Sequence, residues 1–425
     1  MQHRETDGAA RDRRDLRNAM SRYAFEGVHV LDFAWVGVGP ITTKYLADNG
    51  ADVIRVESAA RIDVLRLAPP WKDGQPGPNN SQFFASYNTS KKGITLDLSK
   101  PKARELILRL VPWADIVSES FTPKAMRNWG LDYEHLRKLK SDLIMFSTCM
   151  QGQTGPNAMY PGFGQLMAAL SGFYYISGYG EGQPPAPPYG AYSDFIAPRF
   201  LTSALIAALD YKRRTGKGQY IDMSQYEAAL HNLAPALIDY FATGRELGPC
   251  GNASMRYAPH GAYRCADEGV EERWIAIAVA NDAEWQSMLQ ALGANPSDAR
   301  FSTQLSRIEN REALDDFIGG LTRNRSAHEL TAQLQAASVA AYPVQNCMDL
   351  HQDENLEAFD FWHWLEHKQM GPSAYEGLQH RLSRTPGYLR SAAPVLGQHN
   401  EDIFRGMLGL SAEEIEQLQK ENVIF

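Results

Sequence analysis

Asp194 lies in a segment that combines a carboxylate with apolar surroundings and the start of a helix. The segment AYSDFIAP spans residues 191–198 and leads into a long apolar stretch with helical periodicity. A carboxylate at this place faces the positive end of the helix, which favours its ionised form, and an ionised carboxylate can attack a thioester carbonyl. The alternative is a structural role as the helix N-cap, which the pattern taken alone favours.

Two other segments could bind an anion. The turn Gly37-Val38-Gly39-Pro40 combines flexible backbone with the N-terminus of a helix, where phosphates are well received. It does not match GxGxxG, because Thr42 occupies the last glycine position, so a dinucleotide fingerprint is poorly supported. The segment NTSKKG at 88–93 places Lys91 and Lys92 beside a sheet edge, where a nucleotide phosphate could bind. The structural alternatives are a tight strand-to-helix turn and a solvated basic turn.

Other catalytic patterns are missing from the sequence. No serine lies in GxSxG, there is no HExxH, and the histidines are scattered. The cysteines lie far apart, without CxxC pairs or zinc-type histidine spacing; they are Cys149, Cys250, Cys265 and Cys347. We therefore expect free thiols, no disulfide and no metal site.

Length and charge exclude several classes of protein. A chain of 425 residues is long enough for two domains. Its net charge of -8, with acids and bases interspersed, argues against nucleic-acid binding. No apolar run approaches about 18 residues, and the N-terminus lacks the apolar core of a secretory signal, so we expect no membrane span and a cytoplasmic location. Residues 1–23 are rich in Arg and Asp and are interpreted as a mobile extension.

The elements that must position these residues alternate between strand and helix. Apolar runs at 28–33 and 51–56 flank a helix-like stretch that begins at Pro40, which is the pattern of a βαβ unit. The same alternation continues over residues 101–147. It predicts a doubly wound, Rossmann-like α/β domain.

Shifts in composition predict the domain boundaries. A stretch rich in Gly, Pro and Asn separates the first domain from a new set of elements, and a later stretch is poor in clear elements. The predicted parts are a large α/β domain at 24–243, a linker at 244–255, a smaller α+β domain at 256–345, a return linker at 346–386 and the C-terminal part of the large domain at 387–425.

The sequence closely resembles the family III CoA-transferases, the carnitine and bile-acid CoA-transferase family. The resemblance runs in order from about residue 25 to residue 425. Its motifs are GADVIRVE at 50–57, NTSKKGITLDL at 88–98, ADIVSESF at 114–121, GQTGP at 152–156, ALSG at 169–172, RRTGKGQYIDMSQYEA at 213–228 and APVLGQHNEDI at 393–403. One such match would be weak, but the ordered set is highly specific.

The resemblance implies a function for the candidate residues. Asp194 matches the family's nucleophilic aspartate, which takes up the acyl group as an anhydride and then forms an aspartyl-CoA thioester. A CoA site is implied at Val36, Gly37, Leu96 and Phe121. The candidates for the CoA phosphates are Arg55, Arg66, Lys91 and Lys92.

The resemblance also implies the substrates and the assembly. Acyl-CoA, with succinyl-CoA as a candidate donor, and a small free carboxylic acid are the expected partners, and no permanently bound cofactor is expected. Family members form interlocked homodimers, and some are built from two related chains, so a CoA-binding subunit of a heteromer is an alternative.

A second alternative is an α-methylacyl-CoA racemase, which has the same fold. The racemase histidine and its neighbouring aspartate fall at Phe163 and Gly164, and a racemase glutamate falls near Asn281, so its acid and base groups are missing here. Formyl-CoA and oxalyl-CoA enzymes carry a glutamine and a glutamate at the positions of Gly37 and Gly164. These small residues predict a larger pocket and a bulkier acid than formate or oxalate.

Overall fold

The computed structural model describes residues 23–180, 182–187 and 190–425. The mobile extension predicted for residues 1–23 lies outside these ranges, apart from its last residue. The described residues form two compact units. The first unit contains residues up to 171, residues 190–237 and residues 357–425, and the second contains residues 172–187 and 238–356.

In the described part of the first unit, six strands form a parallel sheet. The strands are β1 (His29–Asp32), β2 (Asp52–Glu57), β3 (Lys92–Thr95), β4 (Ile116–Glu119), β5 (Ile144–Cys149) and β6 (Tyr220–Ser224). Their order across the sheet is β3-β2-β1-β4-β5-β6. This order reverses between β1 and β4, which is the arrangement of a doubly wound fold, so the predicted fold class is confirmed.

Helices connect these strands and build most of the second unit. They are α1 (Val38–Asp48), α2 (Gln82–Ser86), α3 (Pro101–Leu110), α4 (Lys124–Trp129), α5 (Tyr133–Leu136), α6 (Gly164–Leu170), α7 (Phe173–Ile176), α8 (Tyr192–Thr215), α9 (Gln225–Leu230), α10 (Ala234–Thr243), α11 (Asp282–Leu292), α12 (Gln304–Glu309), α13 (Arg311–Thr322), α14 (Ala327–Ala336), α15 (Cys347–His351), α16 (Glu354–Ala358) and α17 (Ala412–Lys420). Single turns of 3-10 helix occur at Val64–Leu67, Lys72–Gly74, Val111–Trp113, His231–Leu233 and Ala299–Phe301, and a π-helical turn spans Asp402–Met407. Within the ranges described above, none of the helices has both the length and the apolarity of a membrane span.

Alternate residues of the central strands face opposite layers of the first unit. In β1, Leu31 belongs to a core that includes Ile107 of α3, whereas its neighbour Val30 belongs to a core that includes Leu46 of α1 and Leu205 of α8. All five side chains are fully buried. Both faces of the sheet are therefore covered by helices, and a ligand can reach the strands only at their ends.

The second unit contains an antiparallel sheet covered by helices. Its strands are β7 (His260–Arg264), β8 (Trp274–Ala278) and β9 (Ala340–Pro343), with β8 in the centre. Trp285 of α11 is almost completely buried in a core with residues of all three strands. This confirms a smaller α+β domain, to which the structure adds residues 172–187.

The segment predicted as a return linker at 346–386 contains regular structure. Besides α15 and α16, it forms an antiparallel hairpin of β10 (Trp362–His367) and β11 (Gly371–Glu376). Tyr375 on this hairpin is fully buried and shares a core with Phe84 of α2. The description of this segment as poor in elements is corrected, because packing against distant residues stabilises two strands whose local pattern is mixed.

Candidate active site

A cavity of about 820 Å³ lies in the first unit at the carboxyl ends of the parallel strands. The loops that follow five of the strands line it, with Trp35 after β1, Ser58 after β2, Leu98 after β3, Phe121 after β4 and Met150 after β5. It includes the point between β1 and β4 where the strand order reverses. Doubly wound sheets bind their ligands at this point, because neighbouring loops diverge there and leave a crevice.

The loop after β1 is held in an unusual conformation at the cavity. The backbone N–H of Trp35 donates to Oγ of Ser120 at 2.7 Å, which joins the ends of β1 and β4. The next residue, Val36, has φ of 63°, and its N–H donates to Asp63. A β-branched residue rarely adopts this left-handed conformation, so the surrounding contacts must enforce it. The loop thereby presents Val36 and Gly37 to the cavity.

Asp194 lines the same cavity from the first turn of α8. The N-cap of α8 is Ala191, and no side chain caps the helix, so Asp194 is not the cap that its pattern favoured. Its carboxylate occupies space that two glycines leave open. A Cβ atom on Gly164 would lie 2.4 Å from Oδ1 of Asp194, and one on Gly37 would lie 2.9 Å from Oδ2. The position of the carboxylate therefore depends on the absence of side chains at both residues.

Gln225, the first residue of α9, contacts Asp194 directly. Its side-chain amide donates to Oδ1 of Asp194 and to Oγ of Ser193, the latter at 2.9 Å. Ser193 in turn donates its hydroxyl to the carbonyl oxygen of Gly164 at 3.1 Å. These contacts join the starts of α6, α8 and α9 around one carboxylate.

Two opposing effects determine the pKa of Asp194. Burial raises it and the hydrogen bond from Gln225 lowers it, and burial outweighs the hydrogen bond, so the pKa is about 6. A pKa near 6 leaves roughly nine in ten of these carboxylates ionised at pH 7. Asp194 is thus a buried but ionised carboxylate that accepts a hydrogen bond from a neutral donor. Such a group is a competent nucleophile.

The structure brings together five of the residues predicted for the site. Val36, Gly37, Leu96 and Phe121 line the cavity together with Asp194. They come from the loop after β1, the end of β3, the loop after β4 and the start of α8.

Three predicted phosphate ligands are buried instead. Their side chains are at most 2% exposed and pair with carboxylates; the pairs are Arg55 with Asp63, Arg66 with Glu57, and Lys91 with Asp32. A buried cation whose donors are already paired cannot be withdrawn for a ligand without leaving a charge unpaired. The prediction that these residues bind CoA phosphates is therefore corrected: two of the pairs link β2 to the segment 63–66, and the third links the residue before β3 to the end of β1.

Lys92 lies away from the cavity, and a different cation lines it. Lys92 pairs with Asp52 at 2.9 Å, where β2 and β3 begin, at the opposite ends of the strands. Among the described residues that line the cavity, Arg61 is the basic one, and it is exposed. The sequence signal for Arg61 was its place four residues after the end of β2, at the edge where ligands of such sheets bind.

Comparison with known proteins agrees with this geometry. The family model described as CoA-transferase family III matches residues 25–400. The chain belongs to this family. It is therefore an enzyme of the CoA-transferase type, as the sequence motifs predicted.

Individual relatives match this family III CoA-transferase over almost its whole length. A succinyl-CoA–D-citramalate CoA-transferase of Chloroflexus aurantiacus is 31% identical over 401 residues, which are 94% of this chain and 98% of the relative. The beta subunit of a succinyl-CoA–L-malate CoA-transferase from the same organism is 27% identical over 94% of this chain and 97% of its own. The crystal structure of a CAIB/BAIF family protein from Brucella suis superposes with a TM-score of 0.83 at 29% identity, covering 91% of this chain and all of that chain.

Proposed function

We propose that Asp194 is the nucleophile that takes the acyl group from a donor acyl-CoA. The observation that carries this proposal is the position of the Asp194 carboxylate at the wall of the cavity, in contact with the neutral amide of Gln225. An ion pair with a cation would hold the carboxylate and weaken it as a nucleophile, whereas one amide donor leaves it reactive.

The reaction follows from this arrangement without a general base. An oxygen of Asp194 attacks the thioester carbonyl, and the CoA thiolate leaves with the electron pair of the C–S bond, which gives a mixed anhydride. The thiolate then adds to the aspartyl carbonyl, and the donor acid leaves as a carboxylate. The acceptor carboxylate repeats these two steps in reverse, so every nucleophile is already an anion and no proton is transferred.

The cavity also argues against the racemase alternative. Phe163 and Gly164 line it beside Asp194, and none of the described lining residues is a histidine. Abstraction of an α-proton needs a titratable base within reach, and re-protonation from the other face needs an acid.

We infer that the donor is succinyl-CoA and the acceptor a small dicarboxylic acid. Relatives that match along the whole chain are named for succinyl-CoA with citramalate or malate. Gly37 and Gly164 do not enlarge the pocket for the acid, because the carboxylate of Asp194 occupies the space that they leave. CoA enters as a substrate and not as a bound cofactor. A cytoplasmic location is proposed because the cysteines are free thiols, which suits a reducing compartment.

For CoA binding we propose a largely apolar contact with one cation at the rim. Val36, Gly37, Leu96 and Phe121 form the wall, and Arg61 binds a phosphate group of CoA. An exposed arginine suits this role because its planar group can donate two hydrogen bonds to one phosphate.

We further propose that the enzyme is a homodimer, which the family expectation of interlocked chains also favours. Helix α10 is strongly apolar but has no buried residue, and Phe241 on it is 92% exposed. Such a face in a soluble protein marks a contact with another chain. Light scattering of the purified protein tests this proposal: a dimer supports it, and a monomer that gains activity only with a second, related chain indicates the heteromer instead.

Chemical trapping tests the role of Asp194. The enzyme is incubated with succinyl-CoA and treated with hydroxylamine, which converts an aspartyl anhydride or thioester to a hydroxamate that mass spectrometry locates. We expect the hydroxamate at Asp194 and a loss of transfer of roughly a thousandfold or more in Asp194→Ala. The matched control is Asp210→Asn, which changes an exposed aspartate of the same helix. Full transfer by Asp194→Ala would refute the proposal.

A further inference from the structure

Gln225 is the side chain that meets the proposed nucleophile. It is 5% exposed and lies at the start of α9, directly after its N-cap Ser224. Its amide contacts Oδ1 of Asp194, although 31 positions separate the two residues. Gln225 lies within the motif at 213–228, but that motif assigns it no role in chemistry, so the contact is visible only in the tertiary structure.

The amide of Gln225 is anchored as well as buried. One N–H donates to Oδ1 of Asp194. The other donates to Oγ of Ser193, with 2.9 Å between Nε2 and Oγ. Ser193 is fully buried, and its own proton goes to the carbonyl oxygen of Gly164. Ser193 therefore accepts from Gln225 while it donates elsewhere, which sets the direction of both hydrogen bonds. A donor fixed in this way needs no reorganisation when charge develops at its acceptor.

We propose that Gln225 is a catalytic residue whose amide stabilises the oxyanion that forms on Oδ1 of Asp194. This inference rests on the proposed role of Asp194. When the CoA thiolate adds to the aspartyl carbonyl of the anhydride, the new C–S bond forms and the carbonyl electron pair moves to Oδ1. The electron pair on Oδ1 then reforms the carbonyl as the C–O bond to the acid breaks. The acid leaves with the electron pair of that C–O bond. Attack of the acceptor carboxylate on aspartyl-CoA passes through the same oxyanion.

The two oxygens of Asp194 have different surroundings, so they have different roles in the reaction. Oδ1 points toward Gly164 and Oδ2 toward Gly37, and both glycines line the cavity, but Oδ1 is already engaged by the amide of Gln225. Oδ2 is therefore the oxygen that attacks the thioester, and Oδ1 remains the carbonyl oxygen of each acylated state.

A neutral amide suits this role better than a cation. The hydrogen bond to Oδ1 is moderate in the resting carboxylate, whose charge is shared by two oxygens, and is strongest when a full charge sits on Oδ1 in the tetrahedral state. The interaction thus favours the transition state over the ground state, which is the condition for a faster chemical step. A lysine or arginine at this position would stabilise the resting carboxylate in an ion pair and so oppose the first attack.

The test measures exchange of labelled succinate into succinyl-CoA by the full-length enzyme. Gln225→Met keeps the volume and removes the amide, and Gln225→Leu removes the amide with a second apolar side chain of different shape. We expect kcat to fall roughly 100- to 1,000-fold in both variants, while the KM for succinyl-CoA changes by less than about threefold. A merely structural role predicts near-normal kcat in Gln225→Met, which fills the same space. In Gln225→Met the acid limb of the pH profile should also move above about 6, because the hydrogen bond that lowers the pKa of Asp194 is lost.

The control is Gln335→Met, which removes a side-chain hydrogen bond of 2.9 Å to the carbonyl oxygen of Ala341 in the second unit and should leave exchange unchanged. Exchange by Gln225→Met within about threefold of wild type would overturn the inference while hydroxamate still forms at Asp194. Absence of hydroxamate in the wild type would overturn the proposed function and this inference with it.

A second variant covers the case in which Gln225→Met does not fold, as judged by its thermal melt. Ser193→Ala leaves Gln225 in place and removes only its anchor. We expect a roughly tenfold fall in kcat, the effect of one lost hydrogen bond, and an unchanged kcat would overturn the inference.

Discussion

The substitution Gly164→Ala places one methyl group against the proposed nucleophile. The new Cβ would lie 2.4 Å from Oδ1 of Asp194 and 2.5 Å from Cβ of Ala191, the N-cap of α8. Ordinary contact begins near 3.4 Å, so the carboxylate must move by about 1 Å. A displacement of this size costs roughly a hundredfold in rate when it affects a reacting group. We therefore expect kcat for CoA transfer to fall about a hundredfold.

Two further glycine variants make this prediction quantitative. For Gly37→Ala the shortest contact is 2.9 Å, to Oδ2 of Asp194, so the displacement is half as large and the loss of kcat should be smaller. Gly319→Ala is the control, because its Cβ would meet no atom within 4 Å and Gly319 lies inside helix α13. We expect normal transfer from it and a gain in stability of up to about 1 kcal/mol.

Steady-state transfer from succinyl-CoA and thermal unfolding are measured for all three variants. We expect kcat to be highest in Gly319→Ala, lower in Gly37→Ala and lowest in Gly164→Ala. If Gly164→Ala keeps wild-type kcat with an unchanged melting temperature, then Asp194 does not react from the position described here. A parallel loss of activity and folding would instead show that the clash with Ala191 disrupts α8, and Gly37→Ala would then carry the test.

Further predictions concern charge. The folded state raises the pKa of Asp194 from 3.8 to about 6. The ionised group therefore destabilises the fold above pH 6 by about 3 kcal/mol, and this penalty disappears as the pH falls through 6 to below 4. Asp194→Asn should therefore raise the melting temperature at pH 8 but not at pH 3.5, and an equal change at both would contradict the assignment. Arg66→Ala should lower the free energy of unfolding by about 3 kcal/mol, because buried Glu57 loses its nearer cation and keeps only Arg55, at 3.5 Å. Arg61→Ala should leave the denaturation midpoint unchanged but raise the KM for acyl-CoA roughly tenfold, and an unchanged KM would remove Arg61 from the phosphate site.

The parallel sheet was predictable because its signals are local. The apolar runs at 28–33 and 51–56 correspond to β1 and β2, and the helical stretch that follows residue 198 belongs to α8, which ends at Gly216 with φ of 69°. Buried strands and helix ends depend on residues within a few positions of one another. The hairpin of β10 and β11 was missed because its stability comes from a core shared with residues about 290 positions earlier.

The sequence by itself determined the order of the elements, which follows from local patterns, and it determined the family and the choice of Asp194, which follow from motifs that occur in order along the chain. The tertiary structure decided which charges are available. Arg66 donates to Pro394, 328 positions away, and is buried, whereas Arg61, five residues before it, lines the cavity. It also placed Gln225 on Asp194. Whether a polar group is free to react or bind depends on burial and on partners from distant segments, which local patterns do not encode.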